Sequence, residues 1–161
     1  MFESVRQKLE RANEHVRDLA SAFKPFSHGR PHRVRIQGHI DRGVSLGISL
    51  IVVFDADLPS SIALLLGDAI HNLRAALDHA TWELIGLDGG TQNRFTNLPT
   101  GDNWQNYKPA CFGMITPRSD TKQFLADLAI HDGGAGESIY KLRLRDNADK
   151  YRLVTPVAHF S

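Results

Sequence analysis

The sequence predicts a mainly helical α+β domain, and three patterns lead to that class. Apolar residues recur every three or four positions over residues 2–23 and again from about 59 to 85, which is typical of amphipathic helices. Between these two segments the period falls to two, as in a β-hairpin. With 161 residues, 42% of them hydrophobic and 23% charged, the chain suits a single domain spanning residues 1–161.

The N-terminal helix and the hairpin come first in the chain, and we expect both to pack on the central helix. We expect the helix to end before Pro25, because a proline disfavours helical geometry in the residue that precedes it. The hairpin is expected to have a three-residue loop. Pairing Ile40 with Val44 then places Ile36 opposite Ile48, so that apolar residues share one face.

The central helix is the longest predicted element. Asp57 and Pro59 indicate its start, and Gly86 indicates an end near Ile85. Its apolar positions fill one arc of roughly 100°, yet the other side carries no Lys or Glu between Ser61 and Trp82. We therefore expect that side to be covered, either by another helix or by the second subunit of a homodimer, since buried polar groups need partners.

The remainder of the chain predicts further C-terminal helices. Residues 86–118 indicate a long loop with one short helix at about 103–107. Residues 119–130 predict a short helix, and residues 137–154 predict a last helix, although residues 140–145 also alternate like a strand. The inward side chains expected of the 119–130 helix are Phe124, Leu125 and Leu128.

Composition and charge exclude several classes of protein. A net charge of +1 excludes a strongly basic protein that binds nucleic acid through bulk charge. The single Cys111 permits neither an internal disulfide nor a cysteine-rich zinc site. The N-terminus is charged and no apolar run is long enough to cross a bilayer. We expect a cytoplasmic protein without membrane contact, cofactor or metal site.

A local basic segment remains as a candidate surface for RNA or DNA. Arg33 and Arg35 share one face of the predicted strand, with Arg30 and His39 nearby in the sequence. Such a face can follow a phosphate backbone. The alternative is an ordinary solvated strand face.

The central helix concentrates the side chains that can carry chemistry. Its polar residues are Asp68, His71, Asn72, Arg74, Asp78 and His79. One interpretation is structural: with Asp146 and Asp149 they form a buried hydrogen-bonded network that fixes two helices or two subunits, within a non-catalytic binding or interaction module.

The alternative interpretation is catalytic and uses Arg74 and His79. An arginine that holds a phosphate and a histidine that moves a proton can together cleave RNA without a metal. Five residues along a straight helix turn these two side chains about 140° apart. The two side chains can therefore meet at one phosphate only if the helix is kinked, if a dimer brings them together, or if the long arginine side chain reaches around the helix.

The motif also carries a resemblance. Residues 67–79, read as Gly-Asp-x-x-His-Asn-Leu-Arg-x-Ala-Leu-Asp-His, and the later stretch 146–153 resemble a group of uncharacterised bacterial proteins that have a similar helix and a later Asn-x-x-Asp-Lys-His-Arg stretch. That group distantly resembles HEPN domains, helical and often dimeric modules that include ribonucleases. The resemblance implies a phosphate clamp at Arg74 and a general acid or base at His79.

Overall fold

Five helices and two paired strands make up the part of the chain that the computed structural model describes, which is residues 2–28, 32–41, 45–54, 59–114 and 118–149. The elements in chain order are α1 (Glu3–His28), β1 (His32–Asp41), β2 (Ser45–Phe54), α2 (Ser60–Leu87), α3 (Trp104–Phe112), α4 (Ser119–Asp127) and α5 (Glu137–Asp149).

Helices alone build the packed body, so the predicted α+β class is wrong. Across the described ranges, α1 contacts α2, α2 contacts α5 and α3 contacts α4. The strands β1 and β2 contact one another, and neither contacts a described helix. Fold class follows from the layers that share a core. Alternation in the sequence predicts an extended segment but not what that segment packs against, and the expected packing on the central helix is not found.

The pairing register of the two strands also differs from the prediction. They run antiparallel with Ile36 opposite Leu50 and Ile40 opposite Leu46, whereas the sequence placed Ile36 opposite Ile48. The difference is two residues along β2. Because side chains alternate with a period of two, a shift of two leaves the same residues on the same face. The alternation pattern therefore contains no information that separates these two registers.

Helices α1 and α2 pack antiparallel, and a carboxylate near the C-terminal end of α2 binds the N-terminal end of α1. Glu83 of α2 accepts hydrogen bonds from the backbone N–H of Phe2 and from the hydroxyl of Ser4. The helix α1 continues through Pro25 to His28, so the predicted end before Pro25 is wrong. Pro25 lies at an exposed position, where a proline removes one backbone hydrogen bond but has a helical φ angle.

Both ends of α2 lie close to their predicted positions. Pro59 occupies the N-cap position, and Asp57 lies outside the described residues. At the other end Gly89 adopts φ +75°, and Gly90 N–H donates to Ile85 C=O at 2.9 Å. This pattern of a left-handed glycine and a six-residue hydrogen bond is the Schellman motif that commonly ends helices. The helix therefore runs two residues beyond the predicted Ile85.

The C-terminal helices enclose an apolar cluster around a segment of the long loop. Its buried members are Leu98, Tyr107, Cys111, Leu125, Ala126, Ile130 and Tyr140. The helix α3 is longer than predicted, and its N-cap is Asn103, whose side chain accepts a hydrogen bond from Asn106 N–H at 3.0 Å. Leu125 is buried as predicted, but Phe124 is 54% exposed and that prediction is wrong.

The last helix, α5, settles the ambiguity at residues 140–145, which are helical. It packs on α2. The residues after Asp149, which the sequence placed in the same helix and in the second motif, lie outside the described part of the chain. Of the helices that are described, none combines the length and apolar character needed to cross a bilayer.

Candidate functional site

Residues 67–79 of α2, which we call the α2 motif, contain an arginine and an aspartate that form an ion pair along the helix. The Nη2 of Arg74 lies 2.9 Å from Oδ1 of Asp78, and the Arg74 side chain is only 11% exposed. Four residues of α-helix place two side chains one above the other on the same face, which allows this contact. A guanidinium that is this far from water needs such a partner.

The same two side chains hold a residue of the loop that follows α2. The backbone N–H of Leu98 donates to Oδ1 of Asp78 at 2.9 Å, and Nη2 of Arg74 donates to the C=O of Leu98 at 3.4 Å. Both polar groups of one buried residue are therefore satisfied by the α2 motif. Since Leu98 belongs to the apolar cluster, this contact joins the motif helix to that cluster.

Two further motif positions meet the last helix. Nδ1 of His71 lies 3.1 Å from Oδ1 of Asp146, a buried carboxylate of α5, while the His71 side chain itself is 59% exposed. Gly67 lies against the side chain of Asp149: a Cβ built on Gly67 would lie 2.8 Å from Cγ of that residue. The structure thus places His71 beside Asp146 and Gly67 beside Asp149.

Two predicted network members make only local contacts with described groups. The Asn72 side chain is buried and donates to the backbone C=O of Asp68 at 2.8 Å, within the same helix. Asp68 is exposed at the surface. The structure therefore does not bring the Asp68 carboxylate into the contacts that join α2 to α5.

His79 lies in a different cleft from Arg74. One cleft of about 500 Å³ lies beside the N-terminus of α1 and is lined by Ser4, Asp78, His79, Trp82, Glu83 and Thr96. The arginine lines a second cleft, and Asp78 is the residue of the motif that borders both. The divergence of two side chains five residues apart on a helix is thus retained in the structure.

The second cleft, which we call the α2–α5 cleft, has a volume of about 390 Å³. Its polar and charged side chains include Arg74, Asp78, Thr100, Arg143, Asp146 and Asn147. It is bounded by the motif face of α2, by the segment around Leu98 and by α5. Two arginines and two aspartates give it a balanced formal charge.

Burial and the charged residues of the α2–α5 cleft change the pKa of Arg74. Burial lowers the pKa of its guanidinium below the ordinary value, and the positive charge of Arg143 acts in the same direction, while Asp78 and Asp146 oppose the change. Nη1 of Arg74 is buried without a hydrogen-bond partner among the described residues. This arginine therefore keeps donor capacity that no described residue uses.

Comparison with known proteins gives no relative: no protein-family model, curated protein or solved structure matches the chain. The function has to be inferred from the geometry of the site. In the part of the chain that is described, no three His, Cys, Asp or Glu side chains form a group suited to a metal ion.

The basic candidate surface lies beyond what the structure describes. Arg30 falls outside the described residues, and so do the side chains of Arg33, Arg35 and His39, although their backbone belongs to β1. The nucleic-acid hypothesis for these residues stays a prediction.

Sequence reasoning missed Arg143 and the backbone of Leu98. A signal for Arg143 exists, because it precedes Asp146 by three positions, and three positions along a helix lie on one face. No sequence signal marks Leu98, since its contribution is a backbone N–H and C=O that every residue other than proline carries.

Proposed function

We propose that the α2 motif is a structural network within a non-catalytic binding module. One observation carries this proposal: Nη2 of Arg74 and Oδ1 of Asp78 bind each other and both backbone groups of Leu98. The contact between His71 and Asp146 acts in the same sense by joining α2 to α5. The motif residues thereby shape the walls of the α2–α5 cleft.

The alternative function, a HEPN-like metal-independent ribonuclease, would need Arg74 and His79 to act on one phosphate. These residues line separate clefts of the chain. The arginine is also engaged by Asp78 and Leu98. The geometry within one chain thus favours the structural role of the motif over the catalytic one.

Unfolding measurements on Arg74→Met test the structural role. The substitution leaves the Asp78 carboxylate and the C=O of Leu98 without the guanidinium, so the free energy of unfolding in urea should fall by about 2 kcal/mol. The matched control is Arg17→Met at an exposed position of α1, which should change it by less than about 0.5 kcal/mol. Equal values for the two variants would contradict the proposal.

A cleavage assay addresses the catalytic alternative with the same protein. The wild-type chain is incubated with a mixed-sequence RNA oligonucleotide in EDTA, and we expect no cleavage. Cleavage that persists in EDTA and disappears in His79→Ala, with the unfolding free energy of that variant unchanged, would establish the ribonuclease and overturn the non-catalytic proposal.

The proposal includes a cytoplasmic homodimer. The cover of the motif face comes from the chain's own α5 and Leu98 segment, so a dimer is not needed for that purpose. Support for a second copy comes instead from large apolar side chains exposed on the helical pair, namely Leu9, Val16 and Leu64. Light scattering that gives the monomer mass at all micromolar concentrations would contradict the dimer.

The proposed cytoplasmic location is supported by the cysteine. Cys111 is free and buried, which fits a reducing compartment.

A further inference from the structure

An arginine that lines the α2–α5 cleft carries a hydrogen-bond donor that no described residue uses. Nη1 of Arg74 is buried and has no hydrogen-bond partner among the described residues, while Nη2 of the same guanidinium is bound to Asp78 and Leu98. A buried donor without a partner is costly. Arg74 lines the α2–α5 cleft, so an acceptor that binds there and reaches this guanidinium would explain the donor.

A second arginine lines the same cleft. Arg143 is on α5, and its charge acts on Arg74 across the cleft. No hydrogen bond or ion pair joins its guanidinium to another described residue. Two guanidinium groups of like charge repel each other, so an anion between them removes an unfavourable interaction as well as adding hydrogen bonds.

The two aspartates of the cleft limit the charge of the ligand. Asp78 binds Arg74 and the N–H of Leu98, and Asp146 binds His71. Their negative charges still oppose a second negative charge nearby. A monoanion is therefore favoured over a doubly charged phosphate. Carboxylate is the monoanion whose two oxygens match the planar donors of arginine.

The size of the cleft indicates a small molecule. Its volume of about 390 Å³ falls within the range of sites that enclose small ligands. The neutral polar residues Asn97, Thr100 and Asn147 also line the cleft. These groups can orient the remainder of a polar ligand whose carboxylate is held by the arginines.

We propose that the α2–α5 cleft binds a small organic acid and that Arg74 and Arg143 hold its carboxylate. The proposal rests on the function proposed above, in which the motif builds the walls of a binding module. It adds a ligand class to that module and assigns a role to Arg143, which the sequence motif does not contain.

The test is an NMR titration of the full chain with sodium propionate at constant ionic strength and neutral pH. We expect saturable shifts of the arginine side-chain N–H signals. Propionamide has nearly the same shape but no charge and should give no saturable shift. Inorganic phosphate should bind more weakly than propionate, because Asp78 and Asp146 oppose its second charge.

Three variants on α5 decide whether the cleft is the site. Arg143→Met should weaken propionate binding about tenfold or more, since it removes one charged hydrogen-bonding partner. Arg145→Met changes an exposed arginine two residues further along the same helix and should bind propionate like the wild type. Arg143→Gln removes the charge but keeps a hydrogen-bonding end of similar length, and it should behave like Arg143→Met because the charge of the guanidinium is what binds the carboxylate.

Several results would overturn the ligand proposal. These are the absence of a saturable shift, equal binding of propionamide, or equal loss of binding in Arg143→Met and Arg145→Met. The function proposed for the motif fails through a different measurement, because it requires Arg74→Met to lower the unfolding free energy. A stable Arg143→Met variant with wild-type propionate binding rejects the ligand proposal alone.

Discussion

At the scale of single residues, Gly67 determines how closely the last helix approaches α2. The carboxylate of Asp149 occupies the place that a side chain at this position would need, with Oδ1 only 2.9 Å from an ideal Cβ. Glycine inside a helix costs roughly 1 kcal/mol relative to alanine. Position 67 therefore trades helix stability for the close contact between α2 and α5.

Replacement of this glycine tests that contact. Gly67→Ala should lower the free energy of unfolding by about 1 kcal/mol, because overlap with Asp149 outweighs the gain in helix propensity. Gly86→Ala, in the same helix, meets the flexible end of the Gln92 side chain and should be neutral or stabilising. Urea unfolding of both variants gives the comparison.

A double variant shows whether the carboxylate is the cause. Asp149→Ala removes the group that a Cβ at position 67 would strike. Adding Gly67→Ala to this background should then stabilise the protein, with the usual preference of helices for alanine. The same loss in both backgrounds would contradict the assigned contact.

Arg74 shows a residue-scale feature that lysine does not share. Its Nη2 serves Asp78 and Leu98 while Nη1 remains for another acceptor. A planar guanidinium with five donors allows this division, and a lysine ammonium has a different geometry. The choice of arginine at this motif position follows from that requirement.

At the scale of elements, periodicity predicts the positions of the helices well, whereas it does not predict the end of α1 or what the elements pack against. The centre of α2 and the helical nature of α5 follow from three- and four-residue spacing. The continuation of α1 through Pro25 does not, because proline's cost depends on whether its position is exposed. Sequence rules for proline describe the backbone of that residue, whereas the position at which a helix ends also depends on how the surrounding residues pack.

The cover of the motif face is the part of the site that the sequence indicates only in outline. The lack of Lys and Glu on that face predicts a cover, and the structure supplies it through α5 and the Leu98 segment. Leu98 lies 20 residues after Asp78 in the chain. A contact made by backbone groups across a loop leaves no residue-type signal.

The contact between α2 and α5 gives an element-scale prediction. Asp146→Ala should lower the free energy of unfolding by about 1–3 kcal/mol, because it removes a buried carboxylate that binds His71. Asp68→Ala changes an exposed aspartate of the same motif and should change it by no more than about 0.5 kcal/mol. Losses of equal size would mean that the Asp68 carboxylate belongs to the network after all.

At the scale of the whole molecule, α2 connects two packed regions. On one side it lies against α1. On the other side Leu77 and Leu84 pack against the apolar cluster of the C-terminal helices. The hydrogen bonds from Arg74 and Asp78 to Leu98 cross the same boundary. A helix whose polar side carries no Lys or Glu over residues 61–82 is expected to be enclosed in this way.

Tyr107 lies at the centre of the C-terminal cluster and connects its stability to pH. Its side chain is fully buried, and its hydroxyl donates to the C=O of Leu125. Burial raises the pKa of this hydroxyl well above its ordinary value, chiefly because the ionised form would lose its hydration. The folded protein therefore keeps this proton at pH values where the unfolded chain releases it.

The expected consequence is a loss of stability at alkaline pH. A group whose pKa is raised by folding contributes stability that is complete below the unfolded value, about 10 for tyrosine, and that falls as the pH rises towards the folded value. Above a pH of about 10, the contribution of Tyr107 should lower the unfolding free energy by up to about 1.4 kcal/mol per pH unit.

The variant Tyr107→Phe tests this origin of the decline. It should be less stable at neutral pH by about 1 kcal/mol, since it loses the hydrogen bond, but its unfolding free energy should fall less steeply at alkaline pH. Urea unfolding of both proteins from neutral to alkaline pH measures the two slopes. Parallel slopes would mean that another group causes the decline.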